Sequence, residues 1–103
     1  MIIVYTVCAD ESEAKKIADA LVKERLAACV NQLPIKSTFW WKDKQDNADE
    51  VALLVKTRKE LVPKVFERVK DLHSYEIPPL FTIPVGEVDD KYLEWLNKET
   101  QNI

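Results

Sequence analysis

Glycine occurs once in these 103 residues, at Gly86; histidine occurs once, at His73; cysteine occurs twice, at Cys8 and Cys29. One glycine cannot build the loops that cradle phosphates, which need several positions without a Cβ, so a P-loop and a dinucleotide fingerprint are both excluded. With a single histidine and no CxxC or CxH spacing, a complete tetrahedral zinc site from one chain is not expected. The apolar run Val51 to Val55 is far too short to cross a bilayer. The start, Met1-Ile2-Ile3-Val4-Tyr5, lacks the basic region and cleavage site of a signal peptide and reads as a strand. Fifteen basic against eighteen acidic residues give a net charge of −3, without the basic excess or Lys/Arg stripe of a nucleic-acid binder. These readings place the chain in the cytoplasm, away from membranes and nucleic acids. There the two cysteines are expected as reduced thiols.

What is present is an ordinary globular composition, 47% hydrophobic and 32% charged, with no repeat, low-complexity tract or linker. Residues 1–103 are expected to form one domain. Ile2 to Cys8 is rich in β-branched residues and reads as a strand. Asp10 and Glu13 have capping-box spacing, and Ala14, Ile17, Ala18, Leu21, Val22 and Leu26 then recur at helical spacing. Ala28 to Lys42 has strand composition, Asp43 to Glu50 is almost wholly polar and reads as a hairpin loop, and Val51 to Arg58 reads as the returning strand. A second helix carries Leu61, Val65, Val69 and Leu72 on one face. It starts around Lys59 or Glu60, which puts Pro63 in its first turn, and ends near His73. Pro78 and Pro79 precede a strand over Leu80 to Val85, and Asp89 or Asp90 caps a last helix with Tyr92, Leu93, Trp95 and Leu96. The order β-α-β-β-α-β plus a C-terminal helix predicts an α+β, ferredoxin-like domain with an antiparallel sheet and helices on one face.

Phe39, Trp40 and Trp41 are consecutive, and strand side chains alternate between faces, so at least one large aromatic must point away from the core. Burying each would remove roughly 150–250 Å² from water. Cover from sister chains in a homo-oligomer satisfies them; the other reading packs them under the last helix beside Tyr92 and Trp95.

His73, at the end of a helix, either complements the helix dipole or serves as one ligand of a weak or intersubunit metal site, with Glu76 or a cysteine assisting. Asp43, Asp46, Asp49 and Glu50 lack EF-hand spacing and read as a solvated hairpin tip. Glu87, Asp89 and Asp90 read as helix-capping acids. Lys56 and Arg58 are expected on one face at a strand end, suited to an anion or to a surface charge pair with Glu60. Ser12, Ser37 and Ser74 sit in no nucleophile elbow, and a cysteine with His73 as base is the one nucleophilic pairing open to the chain.

Five segments together, Glu24-Arg25-Leu26-Ala27-Ala28-Cys29-Val30-Asn31, Phe39-Trp40-Trp41, Lys56-Thr57-Arg58, His73-Ser74-Tyr75-Glu76-Ile77-Pro78 and Tyr92-Leu93-Glu94-Trp95-Leu96, resemble the CutA family of divalent-cation tolerance proteins in order and spacing, along essentially the whole chain. The resemblance implies a ferredoxin-like fold in a tight homotrimer whose long bent strands pair between subunits. It further implies a cytoplasmic, non-enzymatic protein that answers to divalent metal ions, copper in particular, and binds Cu²⁺ or another divalent cation weakly. The family's usual His-Pro-Tyr is His73-Ser74-Tyr75 here. Some bacterial members carry a cysteine late in the first strand and a histidine pair after the second helix as proposed copper ligands; those positions hold Thr6 and Leu72, so His73 is the matching metal ligand. The trimer is also similar to PII-type signalling proteins, which implies an alternative role in sensing a small anion in clefts near Lys56, Arg58 and Tyr75. A scaffolding trimer without a ligand is the third reading.

Overall fold

The computed structural model describes residues 1–102, and Ile103 lies outside the described residues. The elements run β1 (Ile2–Cys8), α1 (Glu11–Lys23), β2 (Cys29–Trp41), β3 (Lys44–Thr57), a 3₁₀ turn (Lys59–Leu61), α2 (Val62–Leu72), β4 (Leu80–Pro84) and α3 (Asp90–Glu99). The four strands form one sheet in the order β2-β3-β1-β4, and every neighbouring pair is antiparallel. This is the expected α+β arrangement.

Each helix begins where a side chain or proline relieves its unpaired amides. Asp10 Oδ1 accepts the Glu13 amide at 2.8 Å, while Glu13 Oε1 reaches back to accept the Ala9 amide at 3.0 Å. The spacing is that of a capping box, with the returning bond one residue earlier than usual. α1 stops at Arg25, which takes a left-handed φ of 58°; the Arg25 amide bonds Val22 O and the Leu26 amide bonds Leu21 O. That bond pair is the Schellman pattern, made here without glycine. The 3₁₀ turn occupies the expected start of the second helix, and Pro63 falls in the first turn of α2, where no intrahelical N–H is lost. Asp89 caps α3 by accepting the Tyr92 amide at 3.3 Å.

Residues paired in register share a face of the sheet. Val4, Cys8, Val51, Leu53 and Val55 face α1 and α2 and close on Ile17, Leu21, Val65 and Val69 to form the core. The Arg68 guanidinium binds the Glu24 carboxylate at 2.9–3.0 Å and ties the two helices together. The opposite face carries Tyr5 stacked on Phe81, together with Ile83, Leu33, Phe39 and Trp41; Phe81, Ile83, Leu33, Phe39 and Trp41 are exposed.

Most of the expected loop over Asp43 to Glu50 is instead strand, from Lys44 onward. β2 and β3 continue as a two-stranded arm to Trp41↔Lys44, closed by a two-residue turn in which Lys42 and Asp43 both have positive φ, 50° and 64°. Two positive φ values define the type I′ turn, whose twist matches that of paired strands. Water reaches both faces of this arm, so its sequence has no reason to alternate, and pairs such as Thr38 Oγ1 to Asn47 Oδ1 at 2.9 Å hold it. The arm draws the molecule out to 45 × 26 × 21 Å. All three aromatics lie on it: Phe39 and Trp41 on the open face, and Trp40, 75% exposed, on the other. None lies under α3, whose Tyr92 and Trp95 pair with each other at 5.5 Å beside Lys56.

Candidate functional site

The end of α2 places His73 as its C-terminal cap, with the imidazole fully buried. Nδ1 accepts the Tyr75 amide at 3.0 Å, so Nε2 carries the ring proton and donates it to the Val7 carbonyl at 2.7 Å. A single neutral tautomer thus ties the segment after α2 to the end of β1. Glu13 completes the clasp: Oε2 accepts the Ser74 amide at 2.9 Å, and Oε1 lies 3.8 Å from His73 Nδ1. Burial alone would raise the Glu13 carboxyl, but hydrogen bonds from Ser74 and from the Ala9 amide outweigh it and hold the group below its usual range.

The core-facing side of β1 adds Cys8. One ligand atom each from Cys8, Glu13 and His73 lie within 4.8 Å of one another. Sulfur, carboxylate oxygen and imidazole nitrogen together suit a borderline or soft divalent ion such as zinc or copper. Occupation has a definite cost. The ion would displace a hydrogen bond from the imidazole, both of whose nitrogens are engaged, and it would displace the proton of a thiol that burial, aided by the nearby acids Glu13, Asp10 and Glu50, pushes up to about 12. The donor set therefore fits a divalent cation in type, and its hydrogen bonds set the affinity low. Thr6, two residues before Cys8, is also buried, and its hydroxyl has no hydrogen-bond partner among the described residues.

Sequence reasoning placed Glu76 or a cysteine beside His73. The structure brings Cys8 there and, in place of Glu76, Glu13, whose capping-box spacing was its only signal. Lys56 and Arg58 both have contacts within the chain. The Lys56 ammonium lies 5.8 Å from the Tyr92 ring centroid, while β3 ends at Thr57 and Arg58 turns to donate to Thr100 Oγ1 at 3.0 Å and to the Gln101 carbonyl.

The 73–79 segment crosses to the open face and, with the arm, bounds a groove of about 560 Å³. Phe39, Trp41 and Tyr75 line it together with Asp46, Glu50 and Glu76. The Tyr75 hydroxyl donates to the Glu50 carboxylate. Burial, and next this bond, push the phenol up and keep it a donor.

The family model described as "CutA1 divalent ion tolerance protein" matches residues 2–99. The divalent-cation tolerance protein CutA of Pyrococcus horikoshii is 42% identical over 101 residues, covering 98% of this chain and 99% of its own. The chloroplastic protein CutA of Arabidopsis thaliana is 39% identical over 98% of this chain, which spans only 56% of that longer protein. The crystal structure of CutA1 from Pyrococcus horikoshii matches with a TM-score of 0.96 at 40% identity, covering 99% of this chain and 100% of that one.

Proposed function

The chain belongs to the CutA1 divalent ion tolerance family, and from that membership we propose that it serves tolerance of divalent metal ions as a cytoplasmic homotrimer that binds such ions weakly and catalyses nothing. The observation that carries the metal reading is the convergence of Cys8, Glu13 and His73 within 4.8 Å. His73 is the ligand on which the proposed site turns, and its Nδ1 lies 3.8 Å from Glu13 Oε1. Binding is weak because each donor is already engaged or protonated. A response protein must release its ion when the supply falls, and a low affinity suits that role. A protonated buried thiol and an imidazole bonded at both nitrogens are poorly disposed as nucleophile and base, which supports a role without a covalent step.

The trimer is supported by the open face. Its row of exposed apolar side chains and the arm edge are surfaces that a monomer would leave in water, and closure around them satisfies both. No described helix is long and apolar enough to cross a membrane. Two free cysteines suit a reducing compartment, which supports the cytoplasm.

Copper titration tests the metal site. Saturable binding at neutral pH that His73→Ala weakens is the expected result, and binding unchanged in that variant removes His73 from it.

A further inference from the structure

We infer that the segment over residues 73–75 is a switch worked by the metal site. An ion at Cys8, Glu13 and His73 and the segment in its present form exclude each other, and occupancy is passed on to the Tyr75–Glu50 bond at the root of the arm. The inference rests on the metal reading above and adds what a bound ion does to the chain.

A neutral imidazole has one ring-nitrogen lone pair to give. In His73 that lone pair, on Nδ1, accepts the Tyr75 amide at 3.0 Å, while the proton on Nε2 goes to the Val7 carbonyl at 2.7 Å. An ion at Nδ1 takes the lone pair directly. An ion at Nε2 moves the ring proton to Nδ1, where it meets the Tyr75 N–H donor to donor. By either route the Tyr75 amide loses its acceptor. The His73 side chain is also fully buried, so an ion reaches it when a covering segment moves.

The loss reaches beyond the site because Tyr75 has two further holds. Its ring centroid lies 4.8 Å from that of His73, and its hydroxyl donates to the Glu50 carboxylate on β3. Glu13 holds the same segment from α1 by accepting the Ser74 amide at 2.9 Å. Two of the three proposed ligands therefore bear directly on residues 74 and 75. Coupling between sites is reciprocal. If the ion weakens the Tyr75–Glu50 bond, then removing that bond must tighten the ion.

The test titrates zinc at neutral pH into the full chain, with ¹⁵N-tyrosine labelling and the Tyr75 amide signal assigned. The expected result is a saturable shift of that signal with the midpoint of zinc binding, while the Tyr92 amide stays still. Calorimetry is expected to show Tyr75→Phe binding zinc roughly tenfold tighter than the parent. His73→Ala keeps the two readings apart: saturable binding that it weakens sustains the metal site however the segment behaves. With that binding established, a stationary Tyr75 amide or an unchanged zinc affinity in folded Tyr75→Phe overturns the switch. The amide measurement uses the unaltered chain, so it decides the matter even if Tyr75→Phe loses its fold. No zinc binding by the folded parent overturns the metal reading and the switch together.

Discussion

Tyr75 donates its phenolic hydrogen to Glu50, 25 positions earlier in the chain, and so pins the segment after α2 onto the root of the arm. Removing the donor leaves a partly buried carboxylate short of a partner. Tyr75→Phe is expected to lower the unfolding free energy by about 1–2 kcal/mol. Urea denaturation measures it, and a double-mutant cycle with Glu50→Gln should return a coupling of the same sign.

Glu13 ties three elements by accepting from Ala9 and Ser74 beside His73. Its folded pKa lies below the ordinary glutamate value. The folded state therefore binds fewer protons there than the unfolded state, so the contribution is complete above that value and is lost as pH falls through the folded pKa. Glu13→Gln is expected to cost about 1–2 kcal/mol at neutral pH. It should also show a smaller loss than the parent between neutral pH and about pH 3, read from urea midpoints.

The arm turn places two non-glycine residues at positive φ, Lys42 and Asp43. A glycine adopts that conformation without a Cβ penalty. Asp43→Gly is expected to stabilise the protein by about 0.5 kcal/mol or more, measured as a raised urea midpoint. A lowered midpoint would mean that the Asp43 side chain contributes more than its backbone costs.

The same turn shows where sequence reading stops. α1, α2 and α3 were legible because each buries one face and so imprints a period of 3.6 on its residues, and β1 because it is rich in β-branched residues. The arm from Lys44 to Glu50 buries neither face, and its polar run is indistinguishable from a loop until Lys42 and Asp43 are known to form the turn. Only then does the register follow, and with it the meeting of Glu50 and Tyr75. His73 was legible as a residue and its setting was not, because the Val7 carbonyl and Tyr75 amide are backbone groups that no side-chain pattern records. Glu13 was legible as a cap, and nothing in its spacing indicated that its second oxygen would reach Ser74, 61 residues on.

The raised Cys8 thiol fixes the pH behaviour of the proposed metal site. A thiolate-bound ion must release a proton from a group held up at about 12, so apparent affinity should rise with pH across the neutral range. Zinc, which avoids oxidising the thiol, is the suitable probe. Calorimetry at about pH 6.5 and about pH 8 should show tighter binding at the higher value, by at most about tenfold per unit for one proton released. Cys8→Ser is expected to flatten that dependence.

The account rests most heavily on the open face being a boundary between copies of the chain. Light scattering at about micromolar concentration tests it directly. The prediction is a particle of about three times the 11.9 kDa chain mass that dissociates when Phe39 and Trp41 are replaced by serine. A stable 11.9 kDa particle from the unaltered chain would contradict it.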